Sequence, residues 1–381
     1  MYANAIRVVL MTMLIGCVMG CPRGRQCPQT PVRYTVTDLG SFGGDRSNAL
    51  AVNDMGQVVG LSEMPSGIAQ GFLWDAQNGI MSLGSFNQHS EAWDINELGQ
   101  VVGETYTLGD VIHPFLWSPD APNGTTGTMY DLATLGGFEA GAWQINDLGQ
   151  VTGWSDLPTP GVWHPFLWTP DSANGTSGDM ADLGTLGGIG AETYAINDMG
   201  QTAGYSIEPD QGFTRAVLWT PDTPNGDTGS MVDLYTLGGN DAEVRDINSS
   251  GATVGRSWRY VGEIFHAFKW TPLVPNGSLG NMQDLGTLGG DTSYAFGMNG
   301  QGQVVGRADR ADGSSGAFLW DESWDMVDLT STLDCRDQFD PDTGKGWDIS
   351  IARDINSDGW IVGTGTFDGG QPRAVLLRPK N

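Results

Sequence analysis

Four histidines, four cysteines and a large excess of carboxylates are the groups on which any chemistry of this chain would rest. His113, His164 and His266 occupy one equivalent place in three stretches about fifty residues apart, which reads as a habit of a repeated unit more than as a metal site. No His-Glu-x-x-His, Cys-x-x-Cys or Gly-x-Ser-x-Gly occurs. Cys17, Cys21, Cys27 and Cys335 are too few and too close to the ends for a zinc cage or a nucleophilic thiol. Asp131, Asp182, Asp233, Asp284 and Asp328 each precede a leucine, where a structural hydrogen bond to a loop is the expected role. Asp94, Asp246 and Asp354 share another position, with Gln144 in the matching place. If their strands are innermost, these four line a channel and could attract cations. Asp340, Asp342 and Asp348 alternate with glycine and form the best local calcium candidate, the one cofactor suggested. The segment lacks the third early aspartate and terminal glutamate of an EF-hand, so an acidic surface insertion competes with that reading.

The elements that must position these groups follow from a repeat. Asparagines 53, 96, 146, 197, 248, 299 and 356 each open an Asn-x-x-Gly turn, at spacings of 43, 50, 51, 51, 51 and 57. Each copy holds four strand-like runs. In the second copy these are residues 90–96, 99–104, 113–117 and 129–135. Glycines 56, 99, 149, 200, 251, 302 and 359 supply the positive φ of the first hairpin, and Pro-x-x-x-Asn-Gly joins the third and fourth runs in copies two to five. Trp74, Trp117, Trp168, Trp219, Trp270 and Trp320 close the third run, with Leu377 in the seventh copy. A large side chain at one fixed place per copy predicts packing between units.

These features predict an all-β fold, a seven-bladed β-propeller of four-stranded blades over residues 34–381. The chain opens at Tyr34 with a fourth run that has no blade before it and ends on a third run that has none after it, so the N-terminal strand should close the ring. An open array of stacked β units is the alternative. Composition agrees with a β fold. The 57 glycines and 19 prolines disfavour helices, while 39% hydrophobic residues and 14 tryptophans argue against disorder. A net charge of −27 repels phosphate backbones, so no nucleic-acid partner is expected.

Residues 1–20 carry one positive charge and then an apolar run of 13 (Val8 to Gly20), the pattern of a signal peptide. Leu14-Ile15-Gly16-Cys17 and Val18-Met19-Gly20-Cys21 both resemble a bacterial lipobox. Lipidation is expected at Cys21, alternatively Cys17, with plain secretion as the other reading. Residues 21–33 would then be a tether, the membrane would be met only through the lipid anchor, and the location would be the envelope or exterior of a bacterium. If Cys17 leaves with the signal, Cys27 and Cys335 remain, and ring closure places them near one blade, which suggests a disulfide.

The copies resemble the HAF repeat, a family of extracellular bacterial repeat proteins named for its His-Ala-Phe run. His266-Ala267-Phe268, its variants His113-Pro114-Phe115 and His164-Pro165-Phe166, the Asp-Leu-Gly-Thr-Leu-Gly-Gly of 182–188 and 284–290, and Ile-Asn-Asp-x-Gly-Gln at 145–150 and 196–201 carry the resemblance over residues 34–380. Copy one (Gln70-Gly71-Phe72) and copy seven depart from it, and copy two replaces Gly-Gly with Asn87-Gln88. The resemblance implies location and repeat architecture, and no catalytic residues.

Where the copies differ is more informative. Loops between the second and third runs should share one face with the connectors between blades, and they vary. Tyr106, Trp154, Trp163, Phe213, Trp258, Tyr260 and Phe265 lie there as ligand-binding candidates. The expected function is an exported, lipid-anchored binding or scaffold module, a monomer, for a polysaccharide or an envelope protein. One alternative is a carbohydrate-active lyase or hydrolase with carboxylates at the channel mouth; another is a structural envelope protein with no ligand. No catalytic residue is assigned.

Overall fold

The computed structural model describes residues 30–260, 264–334 and 345–380. They form seven four-stranded antiparallel sheets arranged as a seven-bladed propeller. Blade 2 is representative, with strands Ser90–Ile95, Val101–Tyr106, Ile112–Pro119 and Gly127–Asp131 from the axis outward. Blade 7 takes three strands from the end of the chain (Trp347–Ile355, Ile361–Phe367, Arg373–Pro379) and its outermost from the beginning, Tyr34–Asp38. Tyr34 pairs with Pro379 and Asp38 with Val375, so the ring closes as the unmatched ends of the sequence require. Leu329–Thr332 is the one helix among the described residues.

Burial follows the repeat. Trp117 packs with Ala51, Val59 and Leu73 of blade 1, and Trp74 packs with Val362 and Leu376 of blade 7. The third-strand tryptophans are therefore inter-blade wedges, 2–7% exposed. The Asn-x-x-Gly turns make a second, polar layer. Asn96 Nδ2 donates to the Asn146 carbonyl, Asn146 to Asn197, Asn197 to Asn248, Asn299 to Asn356, Asn356 to Asn53 and Asn53 to Asn96. The belt is broken once, where Asn248 faces the sulfur of Met298. The glutamine after each of the first four turns explains the Asn-Gly loops. Gln57, Gln100, Gln150 and Gln201 donate to the carbonyls of Asn123, Asn174, Asn225 and Asn276 in the next blade, each at 3.1 Å. All four loop asparagines hold φ of 58–63°, a left-handed conformation that asparagine tolerates.

One irregularity recurs in every blade. The innermost strand bulges against the second at the same place, between Ala49 and Ala51, Ala92 and Asp94, Ala142 and Gln144, Thr193 and Ala195, Val244 and Asp246, Ala295 and Gly297, and Ala352 and Asp354. Opposite the bulge stands a glycine that has no room for a side chain. A Cβ on Gly60, Gly103, Gly153, Gly204, Gly255, Gly306 or Gly363 would lie 1.9–2.0 Å from a carbonyl oxygen of the innermost strand.

Candidate functional site

A bulge adds one residue and so suspends the alternation of a strand. Two neighbours can then face the same side. The skipped residue in each blade is Leu50, Trp93, Trp143, Tyr194, Arg245, Phe296 or Arg353, and all seven line an axial cavity of about 390 Å³. The next residue lines its floor: Ala51, Asp94, Gln144, Asp246, Gly297 and Asp354 all reach it. Sequence reasoning placed Asp94, Gln144, Asp246 and Asp354 on the channel and missed the layer immediately above them. A smaller depression of about 210 Å³ opens on the other side of the same floor and shares Asp94 and Gln144.

The floor residues do not act as a free cation trap. Asp94 accepts the backbone N–H of Ile145, Gln144 that of Ile196, Asp246 that of Met298 and Asp354 that of Val52, each in the next blade. Blades 1, 4 and 6 carry Ala51, Ala195 and Gly297 at this position and have no acceptor to offer. The aspartates compensate, because each also takes the N–H of its own successor: Ile95, Ile247 and Ile355. Four side chains thereby satisfy all seven N–H groups of the throat. Burial and mutual repulsion push Asp94 well above the usual carboxylate range and Asp246 up to about 7. Burial likewise raises Asp354 to about 6.

Above the floor the wall has two halves. Blades 2 to 4 contribute rings in a chain: Trp93 to Trp143 at 4.8 Å, Trp143 to Tyr194 at 5.7 Å and Tyr194 to Tyr205 at 6.0 Å. Glutamates bond to aromatic side chains of the same blades. Glu104 receives Trp154 Nε1 at 3.4 Å, and Glu192 receives the Tyr205 hydroxyl at 2.9 Å. Burial, then the charge of Glu91, raises Glu104 to about 7. Burial likewise raises Glu91 and Glu192. Blades 5 to 7 contribute arginines. Arg245 reaches Glu243 at 3.0 Å and lies 3.8 Å over the Tyr194 ring, and Arg256 reaches the same glutamate at 3.1 Å. The Tyr294 hydroxyl contacts both Glu243 and Arg245. Burial works against ionisation of Glu243, yet these two guanidiniums hold it below the usual range. Arg353 stacks 4.5 Å over Phe296, and burial followed by the charge of Arg245 lowers it to about 10.

The seven aromatic candidates are less loop-like than expected. Trp154, Trp163, Trp258 and Phe265 belong to strands, and Tyr106 ends one. Trp154 and Phe265 adjoin the wall through Glu104 and Tyr294. Trp258 stands 6.4 Å behind Phe265. Tyr106 packs edge-on to His89, and the Trp163 ring covers Gly190. Phe213 precedes the third strand of blade 4 and is half-buried, while Tyr260 is 86% exposed beside residues that are not described. Asp348, proposed as a calcium ligand, instead receives Arg310 at 2.9 Å and the Thr330 hydroxyl at 3.0 Å, so its oxygen already faces a cation. Asp340, Asp342, Cys17, Cys21, Cys27 and Cys335 lie outside the described residues. His113, His164 and His266 each bind an aspartate of the neighbouring strand through Nδ1 (Asp131, Asp182, Asp284), and those aspartates also cap the following loop. Among the described residues no group of three His, Cys, Asp or Glu could hold a metal ion.

No known protein family and no curated protein matches the sequence. Solved structures do match in shape. A puromycin hydrolase mutant crystallised with PGG is similar over 93% of this chain, with a TM-score of 0.56 and 14% identity; this chain spans 56% of that one. TolB from Acinetobacter baumannii (12% identity, 63% of this chain and 56% of that one) and a lectin from Burkholderia pseudomallei (12%, 90% and 97%) each reach a TM-score of 0.39. The likeness to the hydrolase carries the propeller fold and nothing of its chemistry. The fold itself is consistent with a binding or scaffold module.

Proposed function

We propose that the protein is an exported bacterial binding module whose ligand seat is the mouth of the axial cavity, and that the ligand is a polysaccharide or a glycan-bearing envelope component. Residues 1–20 act as the signal, Cys21 or alternatively Cys17 carries the lipid, and residues 21–33 tether the propeller, in keeping with the resemblance to HAF-repeat proteins. Asp334, the neighbour of Cys335, donates its N–H to the Tyr34 carbonyl, which supports a Cys27–Cys335 disulfide.

One observation carries the reading. Seven copies repeat their turns and packing residues nearly verbatim, yet the seven bulged positions that face the axis read Leu, Trp, Trp, Tyr, Arg, Phe and Arg. Packing would favour sameness there; recognition favours a mixture of flat rings and fixed charge. Glycan and peptide arrays probed with the protein, beside a Trp143→Ala variant, test it. A glycan hit lost in the variant supports the seat, and silence on both arrays favours a ligand-free structural role. The raised Glu104, crowded by Glu91, gives the enzyme reading a specific foothold; release of reducing ends from the bound glycan, abolished by Glu104→Gln, would convert the module into a hydrolase.

A further inference from the structure

The seat described above has a charge pattern that the composition of the chain makes unusual. Lysine and arginine number 18 against 45 acidic residues. Four of those cations, Arg245, Arg256, Arg307 and Arg353, nevertheless gather on blades 5 to 7 around one mouth. Arg245 and Arg256 share Glu243. The side chains of Arg307 and Arg353 line the cavity, and neither guanidinium makes an ion pair or a hydrogen bond to another described residue. Arg353 holds its guanidinium carbon 4.5 Å over the Phe296 ring, a contact that uses none of its five N–H donors. The floor aspartates of the same cavity spend their oxygens on backbone N–H groups, so two guanidiniums that pair with no carboxylate here are placed for an anion that arrives from outside.

The opposite half of the wall gives the rest of the ligand. Trp93 and Trp143 line it with their rings, Tyr194 lies under the Arg245 guanidinium, and Glu104 and Glu192 nearby are acceptors already bonded to Trp154 and the Tyr205 hydroxyl. A cavity of about 390 Å³ admits a ligand of one or two rings. We infer that the mouth binds an acidic sugar unit, its carboxylate held by Arg307 and Arg353 and its ring laid against the Trp143 side. The inference rests on the glycan reading above and narrows it to uronates.

The test uses the purified full chain and four probes, glucuronate, galacturonate, mannuronate and guluronate, each beside its neutral hexose. Binding is followed by tryptophan fluorescence and by calorimetry at pH 7 in low salt. At least one uronate is expected to bind about tenfold or more tightly than its hexose, with affinity falling as salt rises. Arg307→Gln, at an exposed position that leaves the core untouched, should erase most of that preference, as should Arg353→Gln if it folds. Equal affinity for a hexose and its uronate would overturn the acid preference while leaving the glycan seat standing. Equal affinity for sodium sulfate would show a plain anion site and overturn the sugar assignment. No response to any probe, together with silent arrays, would remove both readings.

Discussion

Substituting Gly204 by alanine asks whether the recurrent bulge is what shapes the cavity wall. The added Cβ would lie 1.9 Å from the Glu192 carbonyl oxygen and 2.7 Å from Thr193 Cα. Both are backbone atoms, so no side chain can swing away. Restoring an ordinary contact means parting the inner two strands of blade 4 by about 1 Å, against a normal strand spacing of ~4.8 Å. Hydrogen bonds of ~2.9 Å stretched that far are lost. Two such bonds at ~1 kcal/mol each, plus the strain of overpacking at ~1–3 kcal/mol, put the destabilisation at about 3–5 kcal/mol. Gly300→Ala is the control, since that residue has no positive φ and open space where its Cβ would stand; it should be neutral or slightly stabilising. Urea unfolding followed by tryptophan fluorescence reads both. The reasoning fails if Gly204→Ala unfolds within about 0.5 kcal/mol of the parent, a margin typical of surface changes.

Two further outcomes follow from the fold. Removing residues 34–40 takes away the outer strand of blade 7, buries Tyr34 and Leu39 no longer, and bares the Arg373–Pro379 edge; at ~2 kcal/mol or more per large apolar side chain, melting should drop by roughly 10 °C or the protein should aggregate, and an unchanged melting curve would contradict the closure. The second concerns acidity. Asp246, Asp354 and Glu104 have folded pKa values of about 7, 6 and 7, above their ordinary values. The folded state therefore holds extra protons between about pH 4 and 7, and the stability these groups confer is complete below about pH 4 and lost as the pH rises through the folded values of 6 to 7. Urea unfolding should show a loss of several kcal/mol from pH 5 to pH 8, muted in Asp246→Asn; a curve that rises over this range would refute the assignment.

Much of the architecture was legible because it is written seven times. The Asn-x-x-Gly turns, the third-strand tryptophans and the unmatched strands at the two ends fix blade count and closure without any tertiary information. The axial wall was only half legible, for a geometric reason. Placing Asp94 on the channel excludes Trp93 under strict strand alternation, and the bulge overrules that rule. The signal was present, since a glycine stands four residues after the turn glycine of every copy, in the form Val-Val-Gly or its variants, at Gly60, Gly103, Gly153, Gly204, Gly255, Gly306 and Gly363. Its meaning depends on a carbonyl in a neighbouring strand. The arginine cluster is harder still to see in advance, because Arg245, Arg307 and Arg353 come from three blades and meet only after closure. Asp348 shows how little local spacing says of a partner: Arg310, 38 residues earlier in the chain, is the cation that meets it.

The throat also says something about ancestry. Seven identical gene copies could not have built it, since seven aspartates in one narrow circle would repel one another and seven alanines would leave every donor bare. Three aspartates and one glutamine, spaced among three small residues, solve the problem only as a set. The solution belongs to the assembled toroid and to no individual unit, so divergence at this position had to accompany duplication; a consensus design made by averaging the repeats would erase it.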